Sequence, residues 1–436
     1  MVGWLALLPL LAWTWLLVGR GRFWRTDIRL RAAPPPPQWP AVAVVVPARD
    51  EADLLEVTLA SLLDQDYPGP AHVVVVDDRS TDDTASAARA LAGAGRLDLT
   101  VVAGRDPPDG WTGKLWALHQ GIARATGAGD PWLPPPAGAP PAPAYVLLTD
   151  ADIAHPPDGL RRLVAWAEAS HLDQVSLMAR LSTASAWERL LVPAFVYFFA
   201  ELYPFGQVNR QSSRTAAAAG GCILVRTAAL ERAGGVAAVR GAVIDDVALA
   251  RALKRSGAAL WLGLADDTTS VRPYPRLGDI WDMVARSAYT QLRHSPALLA
   301  GTVVGLAAVF VGPPAALVGG VVAGLPQVAA LGASAWLVMA LTYLPMLAYH
   351  RLAHPRLAWW RALGLPAVAV LYVAMTLSSA WRHWRGGVAW KGRTYDRSGA
   401  WQAHHPPVQP VTSDGPPPRP GRRRQRRRQR PAPPAR

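Results

Sequence analysis

Tyr145-Val146-Leu147-Leu148-Thr149-Asp150-Ala151-Asp152 joins an uncharged apolar run to two carboxylates one residue apart. The run Ala144–Leu148 reads as a short buried strand. Three Val-rich runs precede it, Ala41–Val46, His72–Val76 and Leu97–Val102, and the helical patterns Glu51–Gln65 and Thr81–Ala94 separate them. Short apolar runs alternating with helices predict a parallel sheet covered on both faces. The expected fold class is therefore α/β, over residues 40–295. Open α/β sheets bind ligands beyond the carboxyl ends of their strands, which is where Asp150 and Asp152 fall. Two unpaired carboxylates beside an apolar run are costly unless something neutralises them. Hard oxygen ligands suit Mg2+ or Mn2+, and such an ion stabilises a departing nucleotide diphosphate.

Other acidic features sit at the same kind of position. Pro47-Ala48-Arg49-Asp50-Glu51 follows the first strand, and Asp77-Asp78-Arg79-Ser80-Thr81-Asp82-Asp83-Thr84 follows the second. Ser80 to Asp83 is good helix-capping chemistry, which leaves Asp77 or Asp78 to face a ligand. Asp245-Asp246 opens a further helical pattern. Acids there are favoured by the helix dipole alone, and equally they can serve as a general base for an acceptor hydroxyl. His155 reads as a loop residue. Pro131–Pro143, rich in Pro, Gly and Ala, reads as a surface loop.

Outside the α/β domain the chain reads as membrane-bound. It has 436 residues, 51% hydrophobic and only 17% charged, with 19 Trp; soluble chains carry about 25% charged residues. Within residues 1–20, Val2–Gly19 is apolar without a charge, and Arg20, Arg22, Arg25, Arg29 and Arg31 follow it, so an uncleaved anchor with its basic flank inside the cell is expected. Residues 296–381 hold the uncharged stretches Ala297–Leu325, Val328–Tyr349 and Leu363–Ala380. The first admits one span or a tight pair around Pro313-Pro314, and the positive-inside rule favours an even total. Trp359, Trp360, Trp381, Trp384 and Trp390 are expected at headgroup level. Residues 382–436 form a basic cytoplasmic tail, largely disordered, whose Arg clusters are either a solvated tail or a lipid-surface clamp. From Val411 onward nine Arg and one Asp supply +8 of the +14 net charge. What remains argues for anionic lipid rather than nucleic acid. The single cysteine, Cys222, excludes an internal disulfide and reads as a buried filler.

The order of these features resembles the family 2 glycosyltransferases of the GT-A fold. It runs from Pro47–Glu51 through Asp77-Asp78, Gly113-Lys114, Asp150–Asp152 and Gly220-Gly221 to Asp245-Asp246. Gly110–Ala117, Ile244–Ala250 and Trp281–Leu292 further resemble the hopene-associated glycosyltransferases of bacteria. The resemblance implies a Rossmann-like nucleotide-sugar-binding domain plus transmembrane helices. Pro47, Ala48 and Glu51 would line the nucleotide pocket, and Asp78, with Asp77, would read a uracil or ribose. Lys114, otherwise an ordinary helix-start lysine, would touch the diphosphate. Asp150 and Asp152 match the metal motif. Asp246 matches the base, with Asp245 beside it where the family has Glu. Arg286 would hold phosphate, or else faces lipid headgroups. The processive Gln-x-x-Arg-Trp motif has no match at Gln207–Gln211 or Gln291–His294, which argues for single transfer. The implied reaction is inverting, from a UDP-sugar to a membrane lipid such as a hopanoid. Polyprenyl phosphate, ceramide, carotenoid or a silent nucleotide-sugar-binding scaffold are the alternatives. Ile280–Leu292 is expected as a membrane-surface or core helix, and Trp390–Tyr395 as a cytoplasmic segment.

Overall fold

The computed structural model describes residues 2–127, 142–385, 388–390, 393–395 and 401–402. Most of the Pro131–Pro143 loop, Lys391-Gly392 of the Trp390–Tyr395 string and the Arg-rich tail lie outside the described residues.

The strands are β1 (Val42–Ala48), β2 (Ala71–Asp77), β3 (Asp98–Ala103), β4 (Tyr145–Thr149), β5 (Ile153–Ala154), β6 (Gln174–Arg180), β7 (Cys222–Arg226) and β8 (Leu260–Ser270). They form one sheet in the order β3-β2-β1-β4-β7-β6-β8-β5. Its first four strands are parallel, as expected. The sheet as a whole is mixed, because β7 runs antiparallel between β4 and β6. The sequence patterns stopped at β4, and the strands β5 to β8 were not read from them. Strand order reverses between β1 and β4, and that switch point places the loops after β1, β2 and β4 around one crevice.

Both faces of the sheet are buried with period two. Ala43, Val45, Val74 and Val76 point into one core, and Val42, Val44, Val46, Val73 and Val75 into the other. The helix Gly113–Thr126 lies close on the first face. A Cβ at Gly121 would come within 2.4 Å of Val45 Cγ1. Thr112 caps that helix by accepting from the Leu115 amide, and Gly127 ends it at φ 66°, a left-handed cap that suits glycine. The approach at Gly121 fixes the helix over β1, so its first turn hangs above the end of β4.

Four helices are long and apolar enough to cross a membrane: Ala186–Val208, Pro296–Val322, Pro326–Tyr349 and Leu365–Trp384. The apolar helix Val2–Val18 stands beside them. Pro296–Val322 is one continuous rod, capped by Ser295, in which a π-turn at Ala307–Val311 absorbs Pro313-Pro314. This settles the stretch 297–325 as one helix rather than a tight pair. The long exposed apolar residues along these rods, among them Leu11, Val304, Val318, Val321 and Leu341, are the lipid-facing surface of a membrane-associated protein.

Ala186–Leu202 differs from the others because both its ends are held by the α/β domain. At one end Glu188 accepts from the Tyr274 amide at 2.7 Å. At the other, Gln291 donates to the Tyr203 hydroxyl. The helix therefore lies along the junction between sheet and membrane helices. Tyr197 meets Thr342 at 2.7 Å, and Tyr372 donates to the Leu191 carbonyl at 2.9 Å. The core that contains Val45 and Val76 runs through Tyr197 to Trp13, Phe310, Tyr343 and Met375 without a break.

The last helices also depart from simple crossings. Tyr349 donates to Ala265 of β8 at 2.7 Å, so Pro326–Tyr349 ends on the sheet side. The chain then turns back through Pro355–Leu363, where Arg361 reaches the Leu352 carbonyl at 2.7 Å and Trp336 donates to Leu363 at 3.1 Å. Trp336 stands ten residues from the far end of its helix, roughly 15 Å at 1.5 Å per residue. Leu365–Trp384 starts there and returns to the sheet side, where Ser379 accepts from the Tyr289 amide. The apolar face of Ile280–Leu292 packs inward, with Ile280, Val284 and Tyr289 buried; of the two expectations, the structure has the core helix, broken at Arg286-Ser287.

Candidate active site

The loops after β1 and β2 knit together at the switch point. Asp50, at φ 49°, accepts from the Thr81 amide at 2.7 Å, and Thr84 accepts from the Glu51 amide at 2.8 Å. The Asp78 amide donates to Ala48 at 2.7 Å, and the Asp78 side chain is buried below that join. Asp77 Oδ1 accepts from the Ser80 amide at 3.3 Å. Pro47, Ala48, Glu51, Asp77 and Asp78 are thus gathered on one rim.

Lys114 reaches down from its helix to the end of β4. Its Nζ lies 2.7 Å from Asp150 Oδ1 and 3.1 Å from Asp245 Oδ2. Burial pulls the ammonium down, but Asp150 and Asp245 more than offset this and hold it charged. Burial pushes the Asp150 carboxyl up against that pull, and Asp152 and Asp245 add to the push. Asp246 sits at the start of the helix Asp245–Arg255. It accepts from the Gly220 amide at 2.9 Å and from Val247 at 2.7 Å. Burial and the neighbouring Asp245 push its carboxyl up to about 7. These groups line one pocket with Leu115, Leu148 and Leu249. Gly220 is its back wall: a Cβ there would stand 3.4 Å from both Asp246 Oδ2 and Lys114 Nζ.

Arg272, after β8, closes the rim and was not singled out in the sequence. Its Nε donates to Asp152 Oδ2 at 2.9 Å, and its NH2 donates to both Glu51 oxygens at 2.6 Å. It thereby couples the β1 loop to the Asp150–Asp152 turn. No pattern marks it out, being one of 45 basic residues. Tyr274 lies beside it and within reach of the charges of Asp150, Asp152 and Arg286. Arg286 follows the helix Leu277–Ala285, acts by its charge on Tyr274, and is not among the residues that line the pocket. Arg272→Leu is expected to cost about 2 kcal/mol, because the guanidinium that bridges buried Glu51 to Asp152 is lost. A fall in Tm checks this, and Arg272→Lys should recover only part of it, lacking the planar fork.

Five carboxylates, Glu51, Asp150, Asp152, Asp245 and Asp246, here face two cations, Lys114 and Arg272. Among the described residues no three His, Cys, Asp or Glu form a ready metal cage. A hard divalent cation needs none, since Mg2+ and its like bind through one or two carboxylates plus substrate phosphates. The hard oxygen donors, and the excess of five carboxylates over two cations in the site, fit such an ion. His155 does not belong to this set. It is buried, meets Thr149 Oγ1 at 2.9 Å, and burial pushes it down to about 4. Cys222 is buried as well, its thiol pushed up to about 12.

Residues 43–234 match the sequence model described as glycosyl transferase family 2. A stretch of 86 residues is 37% identical to 4,4'-diaponeurosporenoate glycosyltransferase of Staphylococcus aureus (strain USA300), and spans 20% of this chain and 21% of that relative. The chain thus matches about a fifth of that relative's length. Among solved structures, a mannosyltransferase from Pyrobaculum calidifontis in complex with GDP-Man and Mn2+ aligns at 21% identity and TM-score 0.49, covering 88% of this chain and 98% of its own. Glucosyl-3-phosphoglycerate synthase from Mycobacterium tuberculosis, in complex with Mn2+ and UDP-glucose, aligns at 18% identity and TM-score 0.35, covering 58% and 78%.

Proposed function

The chain carries a family 2 glycosyltransferase domain of the GT-A fold and is a membrane-associated glycosyltransferase, and from that premise we propose that it transfers a single sugar, with inversion, from a UDP-sugar to a membrane lipid alcohol such as a hopanoid. The observation that carries this reading is the placement of Asp246, within one pocket with Lys114, Asp150 and Asp245, on the side of the sheet that packs against the membrane helices. Pro47, Ala48, Glu51, Asp77 and Asp78 form the nucleotide rim. Asp150 and Asp152 would hold Mg2+ or Mn2+, which when bound offsets charge on the diphosphate. Lys114 and Arg286 bring positive charge to the same group. Asp246 takes the proton of the acceptor hydroxyl as its oxygen attacks the anomeric carbon opposite the leaving diphosphate, and Asp245 keeps its neighbour basic.

Nucleotide release over a panel of nucleotide sugars, with lipid products read by mass spectrometry, tests the reading. Release only from GDP-sugars, or no sugar-bearing lipid with any donor, would overturn it. The base must be ionised to act, and its carboxyl sits at about 7. Transfer measured as kcat/KM for the lipid should therefore rise as pH is raised through about 7, and level above it.

The relative's name supplies a second reading, in which the acceptor is a carotenoid carboxylate. A carboxylate has no proton to lose, so Asp246→Asn would then spare transfer.

Arg20, Arg22, Arg351 and Arg361 all fall at sheet-side helix ends or reach toward them, and by the positive-inside rule this supports a cytoplasmic catalytic domain. The reversal at Gly364 then keeps both ends of 355–384 on that face. Cys222 is buried, so single cysteines at Gly324 and Arg351 can be labelled from outside with an impermeant maleimide. Label at Gly324 alone is expected, and label at Arg351 would sink the orientation.

A further inference from the structure

Tyr203 stands where the membrane helices, the junction helix and the catalytic pocket meet. Arg20, just past the helix Val2–Val18, donates to the carbonyls of Glu201 at 3.1 Å and Leu202 at 3.3 Å. Gln291 donates to the Tyr203 phenol oxygen, and four residues later Ser295 caps the helix that begins at Pro296. Tyr203 is therefore level with the points at which two apolar helices join the catalytic domain, the depth of lipid headgroups. On its other side, Lys254 ties the helix that begins Asp245-Asp246 to the carbonyls of Val208 at 2.7 Å and Arg210 at 2.8 Å. The charges of Arg251 and Asp246 both act on the Tyr203 hydroxyl. The ring itself is buried against Phe199, with centroids 5.2 Å apart, so the hydroxyl has a fixed aim.

A phenol oxygen that accepts from Gln291 keeps its own proton to donate. A lipid alcohol has one proton and two lone pairs, which is the complement of this corner. We propose that Tyr203, held by Gln291, positions the acceptor: a lipid that presents a hydroxyl at headgroup depth beside Asp246 while its apolar body stays in the bilayer. One lone pair of the acceptor oxygen accepts from Tyr203. Its proton passes to Asp246, and the other lone pair forms the bond to the anomeric carbon. The bond from that carbon to the diphosphate oxygen breaks, and its electron pair leaves with the nucleotide.

The inference rests on Asp246 as the base, and the test separates the two. The full chain in phosphatidylethanolamine–phosphatidylglycerol nanodiscs is irradiated with a hexadecan-1-ol carrying a diazirine two carbons from its hydroxyl, and crosslinks are mapped by mass spectrometry. Crosslinks are expected on the peptides around Leu202–Phe205 and Gln291–Ser295. Tyr203→Phe should reduce them about fivefold, the worth of one hydrogen bond, with nucleotide-sugar affinity unchanged. Gln291→Leu should act the same way, since it frees the phenol without removing it. Asp246→Asn should leave the crosslinks in place. Crosslinks confined to the rods 296–349, or unmoved by both Tyr203→Phe and Gln291→Leu, would overturn the positioning role. Sugar transfer that survives Asp246→Asn would overturn the base while leaving Tyr203 to be judged on the crosslinks.

Discussion

Asp246→Asn is expected to reduce sugar transfer to the lipid by about a thousandfold, the middle of the range for losing a general base. The substitution keeps the shape of the side chain. The amide can still accept from Gly220 through its oxygen, as the carboxylate does at 2.9 Å, so the helix start should stay in place. What is lost is proton affinity. Burial and Asp245 have raised that affinity to where it is useful near neutrality, and an amide has none. Donor affinity should hardly change, because Asp246 touches the acceptor side of the pocket. Radiolabelled lipid product gives the rate, and nucleotide-sugar binding by calorimetry gives the control. A variant with normal transfer and normal binding would remove Asp246 from the mechanism and favour a carboxylate acceptor.

Asp150→Asn should be nearly as damaging, by about a hundredfold, but for a different reason. Asp150 holds Lys114 at 2.7 Å and offers the hard oxygen nearest the pocket. Without it, Lys114 is drawn toward Asp245 alone, and the ion expected at Asp150 and Asp152 loses a ligand. The concentration of Mn2+ needed for half-maximal binding in the presence of UDP should rise about tenfold or more, read from the electron paramagnetic resonance of free Mn2+. Lys114→Met is the informative partner, since it should lower transfer while leaving Mn2+ affinity equal or higher. An enzyme indifferent to EDTA, with Asp150→Asn active, would show that Lys114 and Arg272 neutralise the donor unaided.

The parallel half of the sheet could be read from the chain because its strands are uncharged runs divided by helices, and a strand buried on both faces needs such a run. Asp150 was legible for a related reason: its carboxylate stands out at the end of an uncharged strand. Asp246 was singled out only through the family resemblance, since acids at a helix start are favoured by the dipole alone. Arg272 was not. It follows a strand whose last residues, Asp266-Asp267-Thr268-Thr269-Ser270, look like an ordinary exposed loop, and its two partners lie 120 and 221 positions away. Ala186–Leu202 misleads for the opposite reason. Its composition is that of a membrane span, and only the bonds at Glu188 and Tyr203 keep it with the domain. Gly364 is likewise silent in sequence, because a reversal between two apolar helices needs only a helix break and a tryptophan to satisfy it.

The unbroken core from Val45 to Met375 also bears on how this enzyme can be handled. Cutting near residues 40 and 295 would strip Tyr197 of Thr342 and Leu191 of Tyr372, and would open a greasy flank on the excised piece. Detergent would be needed even for that fragment. For the lipid acceptor proposed above, the same fusion would confine the search to two dimensions: substrate would arrive by sideways diffusion within the leaflet, and turnover should scale with its mole fraction in the lipid rather than with its amount per volume of buffer.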